Sequence, residues 1–227
     1  MSTNNDEISK ILEKLSSAEK QILLTEIRKE IPIHHLEKDW NISAEFVLEA
    51  IYRSQDITKR GVRGIIAELC FSHYIIEPFT NEFEWKSIPL VGDLAYDSLL
   101  EHYSGKKIKI QIKNQRVAKG IPLLATAQAK KKFLEYPGWW IAECQKTRNG
   151  TDESGSATRP YRFGEFDILA VCLHPSTNDW SKFMFIDSSK LFPRATDKHL
   201  IDIMQPVAPT TQGNWFDSLK DCIDSMS

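Results

Sequence analysis

The sequence predicts an α/β fold preceded by a helical N-terminal region, and three observations carry that expectation. Apolar residues recur at helical spacing through much of the first 76 residues. Residues 107–113 alternate strictly, with Ile108, Ile110 and Ile112 on one side and Lys109, Gln111 and Lys113 on the other. The run FDILAVCL is continuously apolar, as a strand buried on both faces would be.

Taken in order, the N-terminal region opens with a polar stretch, 1–6, followed by Ile8, Ile11, Leu12 and Leu15 at helical spacing. Ser16 and Glu19 form a capping-box signature for a second helix, which contains Ile22, Leu23, Ile27 and Ile31 and stops at Pro32. A third helical segment, HHLEKDW, breaks at Asn41-Ile42, and Ser43 is a cap candidate for a fourth, with Phe46, Val47, Ala50 and Ile51. Residues 43–53 read either as a DNA-recognition helix or as part of a helical layer on the core. The layer is favoured, because Glu45 and Glu49 would repel phosphate. Thr58 is a cap candidate for the next helix, TKRGVRGIIAELCFSHYII, where Gly61, Gly64 and Glu68 fall on one stripe. Two helical glycines cost about 1 kcal/mol each relative to Ala, so a close approach by another element or a phosphate is the expected reason for them. Residues 77–89 read as irregular, with Pro78 and Pro89 as breakers.

Residues 90–116 then read as a β-hairpin with its turn at Ser104-Gly105. Side-chain period two makes the loop length decisive. A three-residue loop at 104–106 sets Asp97 opposite Lys113, and one at 103–105 sets Asp97 opposite Gln111. A two-residue loop would send Asp97 to the wrong face. Beyond the hairpin a helix is expected over 126–136, carrying Lys130, Lys131 and Lys132. The strand GWWIAECQK, a polar loop over 147–158, the strand FDILAVCL, a further strand and turn in WSKFMFIDSSKLFPR, and a short helix around 215–223 complete the chain.

Composition bounds the possible functions. A chain of 227 residues, 41% hydrophobic and 26% charged, can build one domain, or one domain with an appendage. The net charge of −2 gives no global basic signal for nucleic acid, although a local basic face is enough. Cys70, Cys144, Cys172 and Cys222 form no CxxC pair, and the six histidines show no ligand spacing, which argues against zinc. There is no P-loop, dinucleotide fingerprint, GxSxG or HExxH. The N-terminus has no apolar signal region, and no apolar run reaches membrane-spanning length. The expectation is a cytoplasmic protein with reduced thiols and no membrane partner.

Asp97 followed by an apolar-flanked Gln111-x-Lys113 on the next strand resembles the core of the PD-(D/E)xK nuclease superfamily, in which Gln replacing the acid is a known variant. The segment RGVRGIIAE is similar to the helix before the hairpin in that superfamily, which often contributes a glutamate, here Glu68. The segments ECQKTRNGTD and TRPYRFGEFDILAVCL resemble stretches of type II restriction endonucleases. The resemblance covers roughly residues 58–195.

It implies a restriction-endonuclease-like core, with a mixed central sheet flanked by helices on both sides, over 58–227. Residues 1–57 would be a dimerisation or DNA-contacting layer. The implied activity is Mg²⁺-dependent, sequence-specific cleavage of double-stranded DNA by a homodimer. Asp97, the Gln111 side-chain oxygen and the Ile112 carbonyl would hold the metal, Glu68 would orient water, and Lys113 would face the attacking water and phosphate. Gln111 leaves such a site one negative charge poorer than an acid would. Asp93 competes with Asp97 for the motif position. Candidate DNA contacts are Arg60, Arg63, Arg116 and Lys119, with Gln145, Lys146, Arg148, Asn149, Arg159 and Arg162 around the polar loop. Arg and Lys read guanine edges, and Asn and Gln read adenine edges. Two alternatives stand beside this reading: a repair or structure-selective nuclease of the same fold, and a non-catalytic DNA-binding module.

Overall fold

In a computed structural model the chain is described over residues 2–30, 34–92, 94–127, 132–146 and 159–226. It divides into two compact units, Met1–Lys59 and Arg60–Ser227.

The first unit holds helices α1 (Ser2–Lys14), α2 (Ser17–Glu30), α3 (His35–Trp40) and α4 (Ala44–Arg53). The expected capping box is present. Glu19 accepts from the Ser16 backbone N–H at 2.9 Å, and Ser16 Oγ accepts from the Glu19 N–H at 3.3 Å. The break after α3 is Asn41 in the left-handed region, φ 49°, which Asn tolerates better than most residues. Ser43 stands at the N-cap of α4 without a side-chain cap bond. Glu37 from α3 serves that helix instead, accepting from the Ala44 N–H at 2.7 Å. None of the described side chains of α1–α4 is buried, and Ile8, Ile11, Ile22 and Phe46 are all exposed.

Helix α5 (Asp56–Phe71) begins two residues before the expected Thr58 cap. It runs into a π-helical turn, Ser72–Ile76, and then α6 (Glu77–Glu82). The stretch expected to be irregular is therefore partly helical. Pro78 lies in the first turn of α6, directly after the π-helical turn. A short strand with no local sequence signal follows, β1 (Trp85–Ser87).

The centre of the second unit is a five-stranded mixed sheet, ordered β1-β2-β3-β7-β8. Strands β2 (Ser98–His102) and β3 (Lys107–Asn114) form the expected antiparallel hairpin. Between β3 and β7 lie the hairpin β4 (Val117–Ala118) and β5 (Ile121–Pro122), a 3-10 turn at Ala125–Ala127, and β6 (Trp140–Glu143). Strand β7 (Ile168–Cys172) lies parallel to β3 and is buried throughout. It is followed by α7 (His174–Thr177), β8 (Phe183–Asp187), β9 (Met204–Val207) and α8 (Leu219–Ser225). The helix expected over 126–136 falls partly on 128–131, outside the described residues. Its described flanks are the 3-10 turn and further turns over 132–135.

The two faces of the sheet are covered differently. Ile108, Ile110, Ile112, Ile168 and Ala170 pack against helices, through Ala67 and Phe71 of α5, Phe79 of α6, and Leu219, Cys222 and Ile223 of α8. Leu169, Val171, Met184 and Ile186 pack against Ala142 of β6, Val207 of β9 and irregular segments carrying Tyr161, Phe166, Leu191 and Ile201. Among the described residues the second face is thus roofed by the β6–β9 pair and loops, not by the helices expected there. This second layer also changes the environment of the polar side of β3: Gln111 is 1% exposed instead of wet.

Ile110 is fully buried between the helices and the sheet. Ile110→Ala should lower unfolding stability by about 2–5 kcal/mol, measured by chemical denaturation. A loss under about 1 kcal/mol would show that this interface is not the core of the unit.

Candidate active site

The hairpin loop is Tyr103–Gly105. The His102 N–H donates to Lys106 O at 2.8 Å, closing the strands, and Gly105 takes φ +89°. The paired registers, Ser98↔Ile110, Leu99↔Lys109 and Leu100↔Ile108, start one residue after Asp97, a bend whose N–H donates to Ile110 O at 2.9 Å; with this three-residue loop Asp97 stands at the entry to β2, its carboxylate on the Gln111 side chain. This is one of the two loops that bring Asp97 onto the face of Gln111 and Lys113. Asp93, the competing aspartate, lies outside the described residues.

Asp97 Oδ2 accepts from the Ile112 N–H at 2.9 Å and from the Gln111 amide Nε2. The same amide donates to Ile112 O at 3.2 Å. Two oxygens of the expected metal set therefore converge on one nitrogen. Glu68, on α5, keeps solvent contact but lines the same cleft of about 280 Å³, with Ser72, Ser87, Asp97, Ser98 and Ile112. Asn114 Nδ2 donates to Arg63 O at 2.9 Å, which ties α5 to the C-terminal end of β3 and fixes where Glu68 stands. The π-helical turn opens at the cleft, where Ser72 and Ile76 line it; such distortions are frequent at functional sites.

The electrostatics are those of crowded acids. Burial raises the Glu68 carboxyl above its ordinary range, and the charge of Asp97 adds to that, with Lys113 opposing. Burial likewise raises Asp97, opposed by Lys113 and by the Ile112 N–H. Lys113 Nζ lies 5.4 Å from the ring centroid of the buried Tyr161. Burial also pushes the Cys144 thiol up to about 12, with Lys113 again opposing.

The donors available to a cation are hard oxygens, from Asp97, Glu68, the Ile112 carbonyl and Gln111 Oε1, which suit Mg²⁺. As placed, Gln111 presents N–H to Asp97 and Ile112. Turning the amide over would put oxygen against oxygen, an arrangement that a cation between them would stabilise. With the amide turned over, these residues would offer one divalent ion few charges. Among the described residues there is no group of three or more His, Cys, Asp or Glu placed to hold a metal.

The candidate DNA contacts are distributed unevenly. Arg60 is exposed on α5, and Arg63 is half-buried there. Lys119 is exposed at the tip of the β4–β5 hairpin, with φ 51° followed by Gly120 at 79°, a pair that matches the twist of a two-residue turn. Arg116 is paired with Glu143 at 2.5 Å, Gln145 also donates to Glu143, and Lys146 is paired with Glu165 at 2.6 Å. Arg159 Nε donates to Lys146 O at 3.2 Å, and Arg162 is exposed with its N–H on Glu165 at 2.9 Å. Arg148 and Asn149 lie outside the described residues. Gly61 and Gly64 have open space where a Cβ would stand, so no described protein element explains them.

Sequence reasoning missed Tyr161, Cys144 and Gln115. Tyr161 reads as one more core aromatic and Cys144 as an ordinary buried thiol. Gln115 extends the Gln111, Lys113 parity, but only the structure buries it, with both amide atoms unpartnered.

No protein-family model matches this chain, and no curated protein matches it. Among solved structures it is similar to a bacterial homing endonuclease, I-Ssp6803I, at 18% identity, covering 57% of this chain and 69% of that one, with a TM-score of 0.35. No helix among the described residues is long and apolar enough to cross a membrane.

Asp97 and Glu68 hold their protons more tightly in the folded protein than in the unfolded chain. That contribution is intact below the ordinary carboxylate range and is lost as pH rises through the raised values. Asp97→Asn keeps an acceptor for the Ile112 N–H while removing the charge. In EDTA, this variant should melt a few degrees above wild type at about pH 7, with the gap shrinking as pH falls through the carboxylate range. An equal offset at every pH, or a lower melting temperature at pH 7, would count against crowded acids at this site.

Proposed function

We propose that the protein is a Mg²⁺-dependent endonuclease acting on specific sequences of double-stranded DNA, of the type II restriction class. The observation that supports it most is the register that sets the Asp97 carboxylate against Gln111 and the Ile112 backbone, with Glu68 and Lys113 electrostatically coupled to it. An inert hairpin gains nothing from a half-buried Asp97 whose charge raises the proton affinity of a neighbouring Glu68.

In this reading Asp97, Gln111 Oε1 and the Ile112 carbonyl hold the ion. A bound Mg²⁺ supplies charge neutralisation at the scissile phosphate and acidifies a water. Glu68, whose proton affinity is raised by burial and by the charge of Asp97, orients the attacking water and takes part of its proton. Lys113 stabilises negative charge as it grows on the phosphate. Arg60, Arg63 and Lys119 contact the DNA backbone, and Gln145 through Arg162 contact base edges. Arg116, Gln145 and Lys146 would exchange Glu143 and Glu165 for DNA on binding. A homodimer, with Met1–Lys59 as its interface, would match the two-fold symmetry of a palindromic duplex site.

Purified protein should cut mixed-sequence duplex DNA into discrete fragments with Mg²⁺, and not in excess EDTA. Asp97→Ala should abolish cutting. Lys113→Ala should slow single-turnover cleavage roughly a hundredfold to a thousandfold, with affinity in Ca²⁺ changed only by the loss of one phosphate contact. Undiminished cutting in EDTA would sink the metal mechanism. Equal losses of rate and affinity would reduce Lys113 to a phosphate anchor, and binding without any cutting would favour a DNA-binding module.

A further inference from the structure

Tyr161 is 4% exposed, yet it sits among charges. Lys113 Nζ and Lys146 Nζ each lie 5.4 Å from its ring centroid. Two ammonium groups on one ring repel each other, and each is balanced by acids. Lys146 is held by Glu165 at 2.6 Å, while Lys113 is coupled to Asp97 and Glu68.

The backbone shows why the ring stands there. The bridge Gln115↔Ala142 extends to Lys113 beside Cys144, and the bridge Gln145↔Pro160 extends to Cys144 beside Tyr161. Lys113, Cys144 and Tyr161 thus form one row across three adjacent segments. The Lys146 N–H donates to Arg159 O at 2.9 Å and the Ile201 N–H to Tyr161 O at 2.8 Å, so Tyr161 is bonded in on both flanks. Phe166 meets its ring edge-on, 5.2 Å away at 90°. A ring fixed this firmly presents an immobile, electron-rich surface to a lysine that otherwise has four rotatable bonds.

We propose that Tyr161 is a positioning residue for Lys113: its ring, acting through the cation–π contact, holds the ammonium at the place where negative charge develops on the scissile phosphate. This rests on the nuclease reading above. In this proposal the ring's electron density, and not the phenolic hydroxyl, is the active property.

The test replaces Tyr161 by Phe and by phenylalanines carrying one, three and five ring fluorines, which keep the shape while withdrawing the negative face. Tyr161→Phe should cleave at close to the wild-type rate. Single-turnover cleavage in Mg²⁺ should then fall stepwise along the fluorine series, by roughly 3- to 30-fold in total, with affinity for the same duplex in Ca²⁺ unchanged. The trend should vanish in Lys113→Met and persist in Lys146→Met, which separates the two lysines on the ring. A flat series, or one that survives Lys113→Met, overturns the proposal, because a packing role is indifferent to fluorine. NMR of ¹³C-lysine-labelled protein reads the contact without any cleavage. The Lys113 ε-methylene should be ring-current shifted in wild type and Tyr161→Phe, and lose that shift in Tyr161→Leu. No shift in wild type overturns the contact itself. A shifted signal in a chain that never cuts DNA overturns the nuclease reading and, with it, the catalytic role of the ring.

Discussion

Everything at the candidate site depends on the parity of one hairpin. Because successive side chains on a strand point to opposite faces, one residue more or fewer between His102 and Lys106 would send Asp97 to the face of Ile108, Ile110 and Ile112. The three-residue loop, with Gly105 in a conformation that favours glycine, keeps Asp97 beside Gln111. Two hydrogen bonds to its carboxylate then lock that arrangement. The register is enforced from the other side as well, since a slip would drive three isoleucines out of the helical layer and into the polar row.

Strand β3 carries two demands at once. Its even-numbered residues build the core with α5, α6 and α8, and its odd-numbered residues build a polar row inside a layer that is otherwise apolar. The cost of that row falls on the acids: burial disfavours the charged forms of Asp97 and Glu68, and the charge of Asp97 adds to that at Glu68. Lys113 offsets part of it. It pairs with Val171 in the sheet, its ammonium lies 5.4 Å from the Tyr161 ring centroid, and its charge acts on Asp97, Glu68 and Cys144, so one side chain joins the apolar layer to the site.

The first unit follows a different rule. Its helices are well capped, through Ser16 with Glu19 and His34 with Glu37, yet none of their described side chains is buried. Local hydrogen bonding and helix propensity shape these segments, and stable helices usually need an apolar face covered as well. The uncovered Ile8, Ile11, Ile22 and Phe46 leave that second requirement open within the unit itself.

The elements whose signals are local were legible in the sequence. The alternation of 107–113, the continuous apolar run of β7 and the Ser16–Glu19 capping box each depend on residues a few positions apart, and each is where it was expected. The shared face of Gln111 and Lys113 follows from the same alternation, whereas Asp97 joined them only through the resemblance, with Asp93 as its rival and the loop length open. What the tertiary structure decided involves partners far along the chain. The parallel pairing of β3 with β7 places Gln111 beside Leu169, 58 residues on, and the second layer then buries it. Strand β1 has three residues and no pattern of its own, and exists only because β2 offers an edge. Tyr161 reaches Lys113 through two strand-like pairings that no local periodicity encodes. Period and capping are properties of a segment, whereas burial and electrostatic neighbourhood belong to whatever the chain brings alongside it.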